Sequence, residues 1–433
     1  MLVRFISGRL LSFEMKPQLV LIASLLAVRV AAADFDVATS TNQVGIDLYR
    51  QLAAETPAKN LAISPYSIES ALALAYAGAD GETRAEMGRV LYLPQDDQPI
   101  QVAFAGVRES LDRMVVKSAQ RAKLLERDGG HEDVVEWQAA NRLFGQQGYA
   151  FRDSFLELLN TGYAAPFESL DFMHGAEKAR VAINSWVGSQ TKDKIRDLIP
   201  ADGVDNSTRL VLVNAFYLKA PWAQPFKKAM TTDLPFHADG TRTETVPTMR
   251  TTTRLDYLKG NGFAAVVLPY AGGELQFLIL LPDDQDGLGP LIAKLTPELL
   301  HDCSDRSQPL LVSLDLPKFR LEGSTIPLHE KLKALGMKTA FDLPPGSANF
   351  DRMAPRKPKD YLMISEVFHQ TFVAIDEKGT EAAAATAVAM MMGGGGGRPF
   401  VPIEVRVDHP FLFAIQQRSS GVCLFIGSVA EPR

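Results

Sequence analysis

The sequence has few of the residues from which common catalytic and metal sites are built. Among 433 residues there are only two cysteines, Cys303 and Cys423, and seven histidines. Two cysteines cannot form a disulfide framework, and without a CxxC pair or a Cys/His cluster they do not form a common structural zinc site. No GxSxG, HExxH or Ser/His/Asp pattern occurs either, so a hydrolase lacks support. We expect buried thiols, no catalytic residues, no metal and no cofactor.

The chain also lacks excess positive charge, internal repeats and long linkers. It has 45 Lys and Arg against 51 Asp and Glu, a net charge of −6, so nucleic acid is not an expected partner. Helical and strand-like patterns alternate along the whole chain, and 46% of its residues are hydrophobic. These features indicate one compact α+β unit with a large core.

Residues 1–33 have the order of a secretory signal. Three bases precede the apolar run 19–28, and three alanines at 31–33 supply a cleavage site before Asp34. The run is short for a membrane span and Arg29 closes it, so an uncleaved anchor is the weaker alternative. Removing four bases and one acid with this segment changes the net charge from −6 to −9. We expect a secreted, extracellular protein, or a periplasmic one in a bacterium, with no membrane contact after cleavage.

Two segments contain polar side chains at unusual positions. One segment lies where a predicted strand meets a helix, and the other is a predicted core strand. Ser64 follows a short strand, Ser67 is predicted to cap the next helix, and Thr83 and Glu86 have capping-box spacing in the helix after that. Local capping is the simplest interpretation of the serines. Asn214 lies inside the apolar run 210–219, which predicts a central strand covered on both faces, and a buried amide there requires hydrogen-bond partners. Further strands are predicted at 244–249, 263–268, 275–281, 310–316, 403–407, 410–416 and 422–429.

The segment that follows Val373 has an unusual composition. Alanines dominate 381–392, and five glycines follow at 393–397. Helix propensity favours a helix over 381–392 that ends at the glycines. The alternative is an exposed loop whose small side chains allow it to enter a sheet as a new strand, with Gly379 as the hinge.

Together these segments resemble the serpin family, from about Asp34 to the last residue. The motifs that carry the resemblance are Asn60-x3-Ser-Pro-x-Ser, Ile183-Asn-x-Trp-Val, Leu212-Val-Asn-Ala-x-Tyr, Leu316-Pro-Lys-Phe, Glu377-Lys-Gly-Thr-Glu-Ala-Ala-Ala-Ala-Thr and Asp408-His-Pro-Phe-Leu-Phe. The resemblance implies an α+β serpin domain over 34–433, with three β-sheets, about nine helices and an exposed reactive-centre loop at about 377–402.

The resemblance also implies a function. A target protease attacks the loop with its own serine or cysteine, and the cleaved loop then inserts into the main sheet and traps the acyl-enzyme. The protein would be a monomeric inhibitor, not an enzyme, with a protease as its covalent partner. The implied hinge consists of Glu377, Gly379, Thr380, Glu381, Ala382, Ala383, Ala384, Ala385 and Thr386. The implied shutter, where the main sheet opens, consists of Ser64, Ser67, Asn214 and His369.

The position of the cleaved bond stays open at this point. Counting from Glu377 places it at Met392-Gly393 or Gly393-Gly394, which favours elastase-, chymotrypsin- or subtilisin-like proteases, although the glycines are also typical of a plain spacer. Cleavage after Arg398 is the alternative and would suit a trypsin-like protease, but Pro399 makes the Arg398-Pro399 bond a poor substrate. If Thr380 points inward in an inserted strand, alternate residues beyond it do so as well.

Two family alternatives remain. A carrier or chaperone would keep the fold without loop insertion, but the small hinge residues favour inhibition. A polyanion could bind near Lys117, Arg121, Lys123 and Arg127 in a predicted helix. The interleaved acids Asp112 and Glu126 favour an ordinary solvated helix face there.

Overall fold

The computed structural model describes residues 35–56, 59–127, 129–238, 242–358, 360–380 and 401–432. The predicted signal at 1–33, the hinge residues from Glu381 to Thr386, and the candidate cleavage sites at Met392, Gly393, Gly394 and Arg398 lie outside these residues. The competing prediction of a helix over 381–392 lies outside them as well.

The described residues contain nine α-helices and two short 3-10 turns. The helices are α1 (Val37–Glu55), α2 (Pro65–Gly78), α3 (Gly81–Val90), α4 (Asp97–Arg127), α5 (Asp153–Gly162), α6 (Phe172–Gln190), α7 (Leu288–Lys294), α8 (Pro297–Asp305) and α9 (His329–Leu335). The 3-10 turns are Lys228–Met230 and Thr339–Phe341.

The strands belong to two hydrogen-bonded sheets. They are β1 (Leu61–Ile63), β2 (Glu136–Gln146), β3 (Glu168–Leu170), β4 (Leu210–Pro221), β5 (Thr232–His237), β6 (Thr243–Lys259), β7 (Phe263–Pro269), β8 (Leu275–Pro282), β9 (Gln308–Pro317), β10 (Phe319–Glu322), β11 (Ile326–Pro327), β12 (Val367–Asp376), β13 (Gly379–Thr380), β14 (Ile403–Arg406), β15 (Phe411–Gln417) and β16 (Cys423–Val429). The strands predicted from the sequence pattern are confirmed.

A nine-stranded sheet has the order β1-β16-β15-β8-β7-β6-β9-β14, with β5 beside β6. The 17-residue strand β6 connects two parts of this sheet, because its last four residues pair with β7 while the rest pairs with β5 and β9. The described strands therefore form two continuous sheets where the resemblance implied three. The seven-stranded sheet has the order β10-β12-β13-β4-β2-β3, with β11 beside β12. This second sheet holds most of the residues implied in function.

The central strand β4 is buried along almost its whole length, as its apolar run predicts. On one face Val211, Val213 and Ala215 pack into a core with Ile183 and Val187 of α6. On the other face Phe216 lies edge-on to Tyr66 of α2, with ring centroids 6.1 Å apart. A strand covered on both faces in this way must satisfy any polar side chain internally.

Two predicted helix caps were wrong. The N-cap of α2 is Ser64, whose side chain accepts a hydrogen bond from the Ser67 backbone N–H, so Ser67 lies inside the helix. The N-cap of α3 is Asp80. Thr83 instead accepts from the backbone N–H of Asn349, and Glu86 accepts from Thr339. Both side chains therefore bind segments distant in sequence, which local spacing cannot predict.

Helices α1 and α2 pack together around a buried carboxyl group. Glu69 of α2 has no exposed surface, and it accepts hydrogen bonds from the hydroxyls of Ser40 and Thr41 on α1. Burial raises the pKa of Glu69 to about 8, and these two hydrogen bonds oppose the rise.

The cysteines are also buried and free, as expected, and burial raises the pKa of both thiols.

Candidate functional site: a polar network and a strand seated in the main sheet

A polar network crosses three neighbouring strands of the seven-stranded sheet. His369 of β12 is the register partner of Asn214 on β4, and Asn214 is in turn the partner of Asn141 on β2. Since alternate residues of a strand share a face, the three side chains lie in one row, against the N-terminal turn of α2. The pairing register therefore brings together residues that are far apart in sequence.

The hydrogen bonds at His369 define its tautomer. Its Nε2 accepts from the Ser64 backbone N–H at 3.1 Å, so the proton of the neutral ring lies on Nδ1. That Nδ1–H donates to Oδ1 of Asn214 at 2.5 Å. His369 has no exposed surface, and burial lowers its pKa to about 3, which keeps the ring neutral at physiological pH. The contact is therefore one between neutral groups.

Asn214 continues the network towards α2. Its Nδ2 donates to Oγ of Ser67 at 2.7 Å and to Oδ1 of Asn141 at 2.9 Å. Ser67 donates to the same Asn141 oxygen at 3.1 Å, and Nδ2 of Asn141 donates to Oγ of Ser70 at 2.6 Å. Each buried polar group thus has a partner, which is what a polar cluster in a dry core requires.

The four predicted shutter residues therefore lie together, and two further members were missed. Asn141 and Ser70 also belong to the network, although no local sequence pattern marks either residue. Only the register of β2 on β4 could have identified Asn141, because it sets this residue opposite Asn214. Asn60, by contrast, lies outside the network and binds the backbone of Ala430 and Glu431.

The first hinge residues are already part of the sheet. Residues Gly379–Thr380 form β13, which pairs antiparallel with Ile375 and Asp376 of β12 and with Ala220 and Pro221 of β4. Thr380 is only 1% exposed, and its Oγ1 lies 2.5 Å from the hydroxyl of Tyr270. Thr380 therefore points into the interior, although the resemblance implied an exposed loop from about residue 377.

Gly379 is required by its position. Its φ is +152°, and a Cβ there would lie 2.1 Å from the carbonyl oxygen of Ala220 and 2.7 Å from Cα of Pro221. Those atoms belong to the backbone of β4 and cannot move aside as a flexible side chain could. Only glycine fits without displacing β13.

Glu377 is held beside the end of β12. Its Oε2 accepts from Nζ of Lys318 at 2.9 Å, and its Oε1 accepts from Oγ1 of Thr231 at 2.8 Å. Burial alone would raise the pKa of Glu377, but the hydrogen bond from Lys318, with smaller contributions from its own backbone N–H and from Thr231, holds it below its usual range. The carboxylate is therefore charged at physiological pH and paired.

The backbone around Glu377 is anchored to the end of β4. Phe226 donates its N–H to the carbonyl of Glu377 at 2.7 Å, and Trp222 donates its N–H to that of Lys378 at 2.7 Å. The Trp222 indole N–H binds the carbonyl of Asp376 at 2.9 Å. The Trp222 ring also stacks on Tyr270, with centroids 4.6 Å apart.

Farther along the same sheet, β12 and β4 contact each other directly. Val367 to Thr371 pair in parallel with Leu212 to Phe216, with no strand between them. Strand β13 thus lies between β12 and β4 at one end of this strand pair, whereas at the polar network β12 and β4 are hydrogen-bonded directly to each other. On the other side of 381–400, β14 belongs to the other sheet, where it pairs with β9. The two ends of the candidate loop are therefore fixed in different sheets.

Two of the four bases that could bind a polyanion lie beside acidic side chains. In α4, Arg121 pairs with Glu132, and Lys117 lies 3.8 Å from Glu274.

Among the described residues no group of three or more His, Cys, Asp and Glu side chains could hold a metal ion. None of the described helices combines the length and apolar character needed to cross a membrane.

Comparisons with known proteins agree with this architecture. The sequence model of the family "Serpin (serine protease inhibitor)" matches residues 39–432. Serpin B10 of Otolemur garnettii is 35% identical over 408 residues, covering 92% of this chain and 99% of the relative. The leukocyte elastase inhibitor of Homo sapiens is 35% identical over 405 residues, covering 92% and 99%.

Solved structures show the same fold. Uncleaved ovalbumin matches with a TM-score of 0.77 at 26% identity, covering 92% of this chain and all of that one. Serpin48 of the insect Tenebrio molitor matches with a TM-score of 0.74 at 28% identity, covering 93% and 100%. The predicted serpin fold is therefore confirmed, and the chain belongs to the serpin family.

Proposed function

We propose that this serpin inhibits a serine protease, or a cysteine protease, by inserting its cleaved loop into the seven-stranded sheet. The observation that carries the proposal is the position of Gly379–Thr380. These two residues already lie between β12 and β4, while the same two strands are in direct contact farther along. A new strand that continues from Thr380 would enter by separating that contact.

Separating β12 from β4 disrupts only a short stretch of paired backbone. Five register pairs join β12 directly to β4, and a side-chain hydrogen bond from His369 to Asn214 crosses between the two strands. An inserted strand replaces one ladder with two. Since each net hydrogen bond contributes about 1 kcal/mol, a dozen inserted residues supply on the order of 10 kcal/mol before the ordering entropy is subtracted. Insertion is favourable only from a strained intact form.

The chemistry belongs to the target. Its serine or cysteine attacks the carbonyl of the scissile bond, forms an acyl-enzyme, and releases the C-terminal side of the loop as an amine. Hydrolysis of the ester or thioester would normally free the protease. Insertion of the N-terminal side moves the attached protease and distorts its site, so deacylation stalls. The protein thus acts as a substrate that becomes a trap, and supplies no catalytic group.

We propose Met392-Gly393 or Gly393-Gly394 as the cleaved bond, with Arg398 as the rival. A bond near Met392 gives the inserted segment about a dozen residues from Thr380, whereas cleavage at Arg398 leaves a longer tether with more slack. An elastase-, chymotrypsin- or subtilisin-like target fits the first position. Human leukocyte elastase inhibitor, one of the relatives, is named for a target of the first kind.

Incubation with a panel of serine and cysteine proteases tests the proposal. We expect a complex that survives denaturing gel electrophoresis, and a released C-terminal peptide whose mass identifies the bond. Complete turnover of the chain by every protease, with no covalent complex, would instead support a carrier or chaperone. Monomer is the proposed state, which sedimentation of the intact protein would check.

We also propose that residues 1–33 direct export and are removed. The support is the order of bases, apolar run and small residues in the sequence. N-terminal sequencing of the protein from its native host should begin at Asp34. Recovery of an intact residue 1 from the cytosol would refute this proposal without affecting the inhibitory one.

A further inference from the structure

The C-terminal side of the candidate loop is anchored through one short connector. Residues 407–410 join β14, which pairs with β9, to β15, which pairs with β8 and β16. Two backbone hydrogen bonds hold this connector. Val407 donates its N–H to the carbonyl of Asp315 at 2.9 Å, and the carbonyl of Asp408 accepts from the N–H of His237 at 2.7 Å. The position of β14 therefore depends on what fixes these four residues.

His409 joins the connector to the end of β8. Its side chain is 6% exposed, its Nδ1 lies 2.8 Å from Oδ1 of Asp408, and its Nε2 lies 2.9 Å from the carbonyl oxygen of Pro282. A carbonyl oxygen and an ionised carboxylate only accept hydrogen bonds, so both ring nitrogens must donate. The two hydrogen bonds therefore exist together only while His409 is an imidazolium cation.

The partners of His409 favour the charged ring. Burial alone would lower the pKa of His409, but the hydrogen bonds to Asp408 and to the Pro282 carbonyl raise it above its usual value near 6.5. In return, the hydrogen bond from His409 lowers the pKa of the Asp408 carboxyl. The cation and the carboxylate thus stabilise each other in the connector.

One other histidine faces the same carboxylate. His237 of β5 lies beside Asp408, and its Nδ1 is 3.0 Å from Oγ1 of Thr243. The remaining charged groups described on the elements around the connector form ion pairs of their own: Lys259 with Asp283, and Arg242 with Glu244 and Glu431. His409 and His237 are therefore the two groups to separate by experiment.

We propose that His409 is a positioning residue of the inhibitory reaction, whose imidazolium binds the connector to β8 and thereby keeps β14 on β9 while the loop is intact. Loss of one ring proton turns one of its two hydrogen bonds into a contact between a nitrogen lone pair and an oxygen, so the ring must leave one partner. Because the pKa of the folded state is the higher one, this anchoring is complete below about pH 6.5 and is lost as pH rises through the folded pKa. The role in inhibition rests on the proposed function, whereas the anchoring does not.

Anchoring of β14 matters because an uncleaved loop can enter the sheet only by removing it. Lys318, the residue after β9, binds Glu377, so both ends of the loop are held at the same end of the seven-stranded sheet. A dozen inserted residues advance about 40 Å. About ten of residues 381–402 then remain to return to Ile403, and they reach at most about 35 Å. Insertion without cleavage therefore pulls β14 off β9 and consumes inhibitor without trapping a protease.

Two measurements on the unmodified chain test the anchoring. Nitrogen NMR with isotope-labelled histidine should show both ring nitrogens of His409 protonated at about pH 7, where an ordinary histidine is mostly neutral. Amide exchange of 403–406, corrected for the intrinsic effect of pH, should accelerate severalfold more than that of β16 between about pH 6 and about pH 9. A neutral His409 at about pH 7, or equal acceleration in β14 and β16, would overturn the proposal.

Variants assign the pH dependence to one histidine. His409→Arg carries a charge that does not titrate, so it should reduce the pH dependence of β14 exchange at least threefold, whereas His409→Gln should exchange rapidly already at about pH 6. His237→Gln should keep most of the dependence, and His301→Gln, an exposed position on α8, is the matched control that should keep all of it. Because Glu69 also titrates in this range, each variant is compared with the unmodified chain at the same pH. An unchanged dependence in His409→Arg, or its loss in His237→Gln, would overturn the assignment, and the NMR measurement decides the charge if the variants unfold.

Inhibition has its own readout. The unmodified chain, held without protease at about pH 9, should lose its capacity for covalent trapping severalfold faster than at about pH 6 and remain uncleaved, while His409→Arg should lose it slowly at both. An equal rate of loss in a chain whose β14 exchange responds to pH would overturn the link to inhibition and leave the anchoring standing. A chain that traps no protease refutes the proposed function, while NMR and amide exchange still decide the anchoring.

Discussion

Replacing Thr380 with arginine tests loop insertion at the residue where the described strand ends. Thr380 is 1% exposed, points inward and contacts the Tyr270 hydroxyl. An arginine cannot be buried there without a partner, since an unpaired buried charge costs several kcal/mol. We therefore expect β13 to leave the sheet in the intact form and the cleaved loop to stall at its first inward position.

The cost to the intact protein should be small. Releasing two residues removes the side-chain hydrogen bond and a few ladder bonds, or about 2–3 kcal/mol at roughly 1 kcal/mol each. The fold should survive with a slightly lower melting temperature. In the inserted form the same residue must be buried in the middle of a sheet. The substitution should therefore destabilise the cleaved, inserted form more than the intact form. The variant should become a substrate, with covalent complex reduced at least tenfold and cleavage retained.

Thr380→Val is the matched control. It keeps the shape and β-branching of threonine and removes only the hydrogen bond to Tyr270, so it should cost about 1 kcal/mol and still trap the protease. Denaturing gels at equal protease ratios measure the covalent fraction of each variant. If Thr380→Arg traps as efficiently as Thr380→Val, the loop does not insert through this position and the reasoning fails.

Three further predictions concern the hinge and two buried titratable groups. Gly379→Ala places a Cβ against the backbone of β4 and should expel β13, which proteolysis near the hinge would detect as faster cleavage of the intact chain. The pKa of Glu69 is about 8 in the fold against about 4.5 unfolded, so the folded state holds the extra proton between these values. Stability should therefore fall as pH rises from about 4.5 to 8, by up to ~1.4 kcal/mol per pH unit, and Glu69→Gln should flatten this slope in urea unfolding. The pKa of His369 is lowered to about 3, so the unfolded state binds the proton first, and stability should fall as pH drops from about 6.5 towards 3. His369→Gln, whose amide can both accept and donate, should reduce this acid sensitivity.

Each of these predictions has a contradicting result. A Gly379→Ala chain cleaved no faster than the unmodified one would mean that β13 tolerates a side chain. Parallel pH profiles for the unmodified chain and Glu69→Gln would place the titration elsewhere. Acid sensitivity unchanged in His369→Gln would show that His369 does not control the acid response of the sheet.

The sequence pattern predicted the elements whose burial is local. The apolar run of β4 required a covered strand, and its polar exception, Asn214, required partners, both of which the structure contains. The end of α9 is also locally determined, because Gly336 adopts a left-handed φ of 113° that favours glycine.

Features that depend on pairing register could not be predicted in the same way. Asn141 is an ordinary polar residue of β2 until the register sets it opposite Asn214. The two-residue strand β13 is too short for any periodicity, and only its position between β12 and β4 reveals it. Thr83 and Glu86 matched a local capping pattern, yet their partners lie more than 250 residues away in sequence.

The central claim is that the cleaved loop joins the seven-stranded sheet by separating β12 from β4 beyond Thr380. The most direct measurement is the melting temperature of the intact chain and of the same chain nicked once within the loop. A sharp rise after nicking, with the new N-terminal peptide protected from hydrogen exchange, is the expected result. An unchanged melting temperature with a freely exchanging peptide would contradict the claim.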